Sequence, residues 1–125
     1  MEATYKTEIN INASDIQAVK DLAAKYEKYF DKYNANFKRF NVYTDDDNQP
    51  FVLIPILYIG LFDEQSYRST IEVDETTGEI VFDLITPHHI KNEDEMLKFK
   101  KGIENFEACK SFYEAFIDEL LAFAI

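Results

Sequence analysis

His88-His89, with Asp83 and Glu93 close by in the chain, is the one cluster in these 125 residues whose side chains suit acid-base or metal chemistry. Adjacent residues on extended backbone point to opposite sides, and a tetrahedral zinc would need two further ligands that the spacing does not supply. The pair is expected to be an exposed loop ahead of a helix. Cys109 falls on an apolar helical stripe with nothing nearby to stabilise a thiolate, so a buried, inert thiol is expected. Ser14, Ser66, Ser69 and Ser111 have no glycine elbow around them, and Gly60, Gly78 and Gly102 are too scattered for a phosphate-cradling loop. Asp45-Asp46-Asp47 lacks the alternating ligands, the glycine and the closing glutamate of a calcium loop. No catalytic residue, metal site or cofactor is expected.

Charge is more informative. The chain carries 24 acids against 13 bases, a formal −11, and the stretch from Asp45 to Glu95 holds all of that excess, with Arg68 and Lys91 its only bases. Charge of one sign on one surface serves solubility or steers a cationic partner. Glu72, Asp74, Glu79 and Asp83 would supply the charge of such a surface, with Asp45, Asp46, Asp47, Glu93, Asp94 and Glu95 as its rim. Val81 and Ile85, or the second face of the central strand (Val52, Ile54, Ile56 and Tyr58), would be the apolar anchors, because charge alone mainly accelerates encounter. Residues two apart on a strand lie roughly 6 to 7 Å from one another, a spacing similar to that of successive phosphates. Direct binding of nucleic acid is disfavoured, since phosphates would be repelled.

The elements that must position these residues are legible in the periodicity. Tyr5, Thr7, Ile9 and Ile11 alternate with Thr4, Lys6, Glu8 and Asn10, as in a strand with one buried face. Ser14, with Gln17 three residues later, is the expected cap of a helix whose stripe is Ile16, Val19, Ala23, Tyr26, Phe30 and Tyr33. Phe37 to Thr44 reads as a strand. Phe51 to Phe62 is the most apolar run and the expected central strand, apolar on both alternating faces, with a bend expected near Pro55 or Gly60. It is too short for the ~20 apolar residues of a membrane helix.

Tyr67 to Asp74 and Glu79 to Thr86 form the clearest hairpin, with Val73 facing Ile80 and Ile71 facing Phe82, and Gly78 supplying the positive φ of the turn. Asn92 and Glu95 form a capping box for a long final helix along Met96, Phe99, Ile103, Phe106, Tyr113 and Leu120.

The expected fold is therefore a single α+β domain over residues 1–125, in the order β-α-β-β-β-β-α. An antiparallel meander of four to five strands would carry the N-terminal and the long C-terminal helix on one face. With one cysteine and no leader-like start, a cytoplasmic setting is expected. The function expected is that of a non-catalytic acidic inhibitor, of the immunity-protein or phage-inhibitor kind, masking a basic site on a nuclease or other nucleic-acid-binding protein. The alternatives are a homo-oligomeric subunit, a homodimer for instance, and a small-molecule-binding domain.

Overall fold

The computed structural model describes residues 7–38, 40–60, 68–84 and 90–125. Within them the order is β1 (Glu8–Asn10), a 3-10 turn (Ala13–Asp15), α1 (Ile16–Asp31), β2 (Ala35–Lys38), β3 (Val42–Thr44), β4 (Pro50–Leu53), β5 (Ile56–Gly60), β6 (Arg68–Val73), β7 (Ile80–Asp83) and α2 (Glu93–Leu121). This is an α+β architecture with the expected N-terminal helix and long C-terminal helix. The strands are antiparallel but fall into two sheets rather than one, β1-β4-β3 and β2-β5-β6-β7.

The division arises inside the apolar run expected to be one central strand. Pro55 has no N–H for a ladder and disfavours helical backbone before it, and the chain breaks at Ile54-Pro55 into β4 and β5. Across the break the buried phase of the alternation shifts by one residue: Val52 is buried in β4, whereas Leu57 and Ile59 are buried in β5. The shift means that each half buries a different alternating face, while Phe51 and Leu53 in β4 and Ile56 and Tyr58 in β5 make the other face apolar as well. Each half has one core face, and the halves use opposite parities. The strand expected over Phe37 to Thr44 is likewise two short strands: β2 pairs with β5, and β3 with β4.

In the four-stranded sheet Phe37, Leu57, Ile71 and Phe82 lie in register across the strands, with Ala35, Ile59 and Ser69 beside them. This face receives both helices. Phe37 packs on Phe30 of α1 at 5.1 Å and on Phe116 of α2 at 4.8 Å between ring centroids, and Tyr26 meets Phe116 at 5.4 Å. The α1 stripe is buried as read from its spacing, through Val19, Ala23, Tyr26 and Phe30. In α2 burial begins at Gly102 and continues through Phe106, Cys109, Tyr113, Phe116, Ile117 and Leu120. Met96 and Leu97, in the preceding turns, are exposed.

Local signals hold unevenly. Asn92 caps α2 by accepting a hydrogen bond from the Glu95 N–H at 2.9 Å, and Glu95 Oε2 accepts from the Lys91 N–H at 2.8 Å. Gly78 takes φ 71°, as the turn requires. Ser14 does not cap α1. It lies inside the 3-10 turn, Asp15 occupies the N-cap without a side-chain capping bond, and Gln17 donates instead to Asp21 at 2.9 Å. Asn34, at φ 54°, turns the chain from α1 directly into β2.

Candidate partner-binding cleft

In β6 the buried residues Ile71 and Val73 alternate with Thr70 and Glu72, so Glu72 emerges on the sheet face away from the helices. Its cross-strand partner is Val81, and Thr70 faces Asp83, which places Val81 and Asp83 on that same face, both exposed. After β6 the chain turns at Asp74. Asp74 Oδ1 accepts from the Thr76 N–H at 2.8 Å and the Thr77 N–H at 2.9 Å, and the Asp74 carbonyl accepts from the Gly78 N–H at 2.8 Å. The amides of Thr77 and Thr76 hold the Asp74 carboxyl below the usual carboxylate range. Asp74 is thus an anionic turn-builder, and Glu75 beside it is free of that task and exposed.

Opposite this turn stands the end of the three-stranded sheet, where the Ile54 N–H donates to the Thr7 carbonyl at 2.8 Å. The two sides enclose an open cleft of about 430 Å³ lined by Thr7, Leu53, Ile54, Ile56, Glu72, Val73, Asp74, Glu75 and Thr76. Leu53 is 46% exposed and supplies apolar surface at its edge. Behind the cleft the buried Tyr113 of α2 donates to the Pro55 carbonyl at 2.8 Å. Burial raises the pKa of Tyr113, and the nearby charge of Glu72 raises it further.

The other residues expected to form the acidic surface do not all join this cleft. Glu79 stands across the hairpin from Asp74, its carbonyl accepting the Asp74 N–H at 2.8 Å, exposed but not lining the cleft. Asp45, Asp46 and Asp47 occupy the β3–β4 turn, at the Pro50 end of β4, about 10 Å of strand away from Leu53. Asp45 is bound into that turn, its Oδ1 accepting from the Asp47 and Gln49 N–H groups at 2.9 Å each. Glu93, Asp94 and Glu95 form the first turn of α2, roughly 27 to 30 Å along the helix from Tyr113. Ile85, His88 and His89 lie outside the described residues.

Ile54 and Ile56, on the second face of the apolar run, are among the anchors singled out from sequence; Glu75 and Leu53 are not. Glu75 could have been found from its place beside Asp74. The place of Leu53 could not, because it depends on the break at Pro55 and on β1 returning beside β4.

Three carboxylates along one wall and methyl groups along the floor suit a lysine or arginine side chain, whose stem is apolar and whose head is cationic. Among the described residues no group of three His, Cys, Asp or Glu side chains is placed to hold a metal ion. Cys109 is fully buried, and burial alone pushes its thiol up to about 12. Among the described residues no helix is long and apolar enough to cross a membrane.

Some helix charges pair locally. Lys25 pairs with Glu119 at 3.8 Å, Lys101 with Glu104 at 3.7 Å and Lys110 with Glu107 at 3.1 Å. Glu119 also accepts a hydrogen bond from the Tyr26 hydroxyl. These two partners give Glu119 a structural role at a helix C-terminus, where an acid is otherwise unfavourable.

No protein-family model matches the chain, and no curated protein or solved structure matches it significantly.

Proposed function

We propose that this chain is a non-catalytic binding protein that seats a basic segment of another protein in the acidic cleft and so covers a cationic surface on it. The observation that supports this reading is the convergence of Glu72, Asp74 and Glu75 on one apolar-floored cleft. A lysine or arginine entering the cleft lays its methylenes on Leu53 and Ile56 and brings its charge to the carboxylates. The exposed Val81 and Asp83 extend the contact over the adjoining sheet face. A surface rich in such residues is the nucleic-acid site of a nuclease or regulator, and occupying it would inhibit that partner in the manner of immunity proteins and phage inhibitors. A lone buried thiol suits a reducing compartment, so the cytoplasm is the proposed setting.

Affinity capture from cytoplasmic extract at low and high salt tests the reading. Glu72→Lys and Glu75→Lys are the informative reversals, because Asp74 is also needed to build the turn. A basic protein retained at low salt, released by high salt, and lost on the double reversal is the expected outcome. Capture that ignores both reversals while the variants keep their unfolding midpoint would dispose of the proposal.

A further inference from the structure

We propose that the free edge of β7 takes an extended segment of another protein as an added antiparallel strand, one in which apolar residues alternate with lysine or arginine. Among the described residues β7 is the last strand of its sheet, with β6 on one side and no strand on the other. The aim of its backbone groups follows from the turn. The Asp74 N–H donates to the Glu79 carbonyl at 2.8 Å, and antiparallel pairs alternate between bonded and non-bonded along a ladder. Val81 and Asp83, opposite Glu72 and Thr70, therefore bond to β6. Ile80 and Phe82 aim their N–H and C=O groups outward, a template for another strand.

This edge differs in composition from a solvated one. Val81 is 39% exposed, Phe82 45% and Leu84 38%, three large apolar side chains within four residues and on both faces of the strand. β7 holds no lysine or proline of the kind that blunts an edge.

The charges on its two faces identify the occupant. Glu79 and Asp83 flank Val81 on the face away from the helices, all three exposed, and offer carboxylates to the alternate side chains of an added strand. On the helix face Phe82 meets Phe106 of α2 at 6.4 Å between ring centroids, and the Lys110 ammonium stands 4.7 Å from the Phe82 centroid. A cation is drawn to the first face and repelled from the second. The segment therefore carries apolar residues opposite Ile80 and Phe82, and basic residues opposite Val81 and Asp83. A second copy of β7 is a poor match. A two-fold axis at Phe82 would set Asp83 opposite Val81 of the second copy, with that copy's own Glu79 and Asp83 diagonally beside it, carboxylate against carboxylate.

None of Ile80, Val81, Phe82 and Asp83 lines the cleft, so the edge and the cleft stand or fall separately.

Titration of the isotope-labelled chain at low salt with the end-blocked peptide Lys-Val-Lys-Val-Lys-Val, read by amide chemical shifts, tests the proposal. The largest shifts should fall on Ile80 and Phe82, whose N–H groups gain acceptors. N-methylation of the valines removes the donors that face the edge and should weaken binding at least about tenfold, whereas N-methylation of the lysines should change it by less than about twofold. The block isomer Lys-Lys-Lys-Val-Val-Val and the Phe82→Lys chain should each lose at least about tenfold, and Glu75→Lys, which alters the cleft alone, less than about twofold. Equal affinity for the two methylated peptides, or for the block isomer, overturns the proposal and leaves only charge attraction. Absence of binding at low-millimolar peptide overturns it as well. Sedimentation of the chain alone supplies the remaining outcome: self-association that Phe82→Lys abolishes gives the edge to a second copy and overturns the assignment.

Discussion

The hydroxyl of Tyr113 donates a 2.8 Å hydrogen bond to the carbonyl of Pro55, joining the middle of α2 to the point where one sheet gives way to the other. Both groups are buried. Tyr113→Phe keeps the ring and leaves the carbonyl without that donor, which should cost about 1–3 kcal/mol. Urea unfolding should show a lower midpoint with an unchanged slope. An unchanged midpoint would mean that the hydroxyl contributes nothing to holding the junction.

Alkaline pH should destabilise the fold. Tyr26 is pushed up to about 12, first by burial and then by its hydrogen bond to the Glu119 carboxylate; Tyr113 is raised by burial, and Cys109 is pushed up to about 12 by burial. Each group holds its proton more tightly folded than unfolded, so above about pH 9 the folded chain binds more protons and stability declines as pH rises. The stabilisation is fully present below the unfolded pKa values. Urea midpoints measured from about pH 8 to about pH 11 should therefore fall steadily, and a flat series would contradict the assignment.

The Cys109 thiol should be unreactive in the folded chain. It is fully buried and its thiolate is disfavoured. A disulfide reagent at neutral pH should label it only as the protein unfolds, so that labelling rises with urea along the unfolding curve. Labelling at the rate of a free thiol in buffer would place Cys109 at the surface.

Asn92→Ala should fray the start of α2, because the side chain caps the Glu95 N–H. The expected loss is about 1 kcal/mol, with Asn92→Asp restoring most of it. Hydrogen exchange should localise the effect to the first turn, and an unchanged exchange rate there would show that the cap is dispensable.

The local part of this fold is open to reading from the chain, and the long-range part is not. Val73 facing Ile80 and Ile71 facing Phe82 follow from period-two alternation and one glycine turn, and both pairs occur. Asn92 caps the Glu95 N–H as the three-residue spacing suggests, while the Glu95 carboxylate reaches the Lys91 N–H, one residue before the cap. The split at Pro55 is half legible: the missing N–H announces a bend, but only pairing with β1 and β3 on one side and with β2 and β6 on the other turns that bend into two sheets. The acidic residues illustrate the same limit. Sequence gathers them by number along the chain, whereas the fold sends Asp45–Asp47 and Glu93–Glu95 to separate places and leaves Glu72, Asp74 and Glu75 together.

The cleft has one jaw on each sheet: Glu72 to Thr76 belong to the β6 side, and Thr7 and Leu53 to the β1–β4 side. Its gape is therefore set by the angle between two sheets and not by the rotamers of its lining. The two sides join at Ile54-Pro55, where the buried Tyr113 of α2 holds the Pro55 carbonyl. A change in the position of α2 would therefore be felt first at Pro55, between the two sheets that line the cleft.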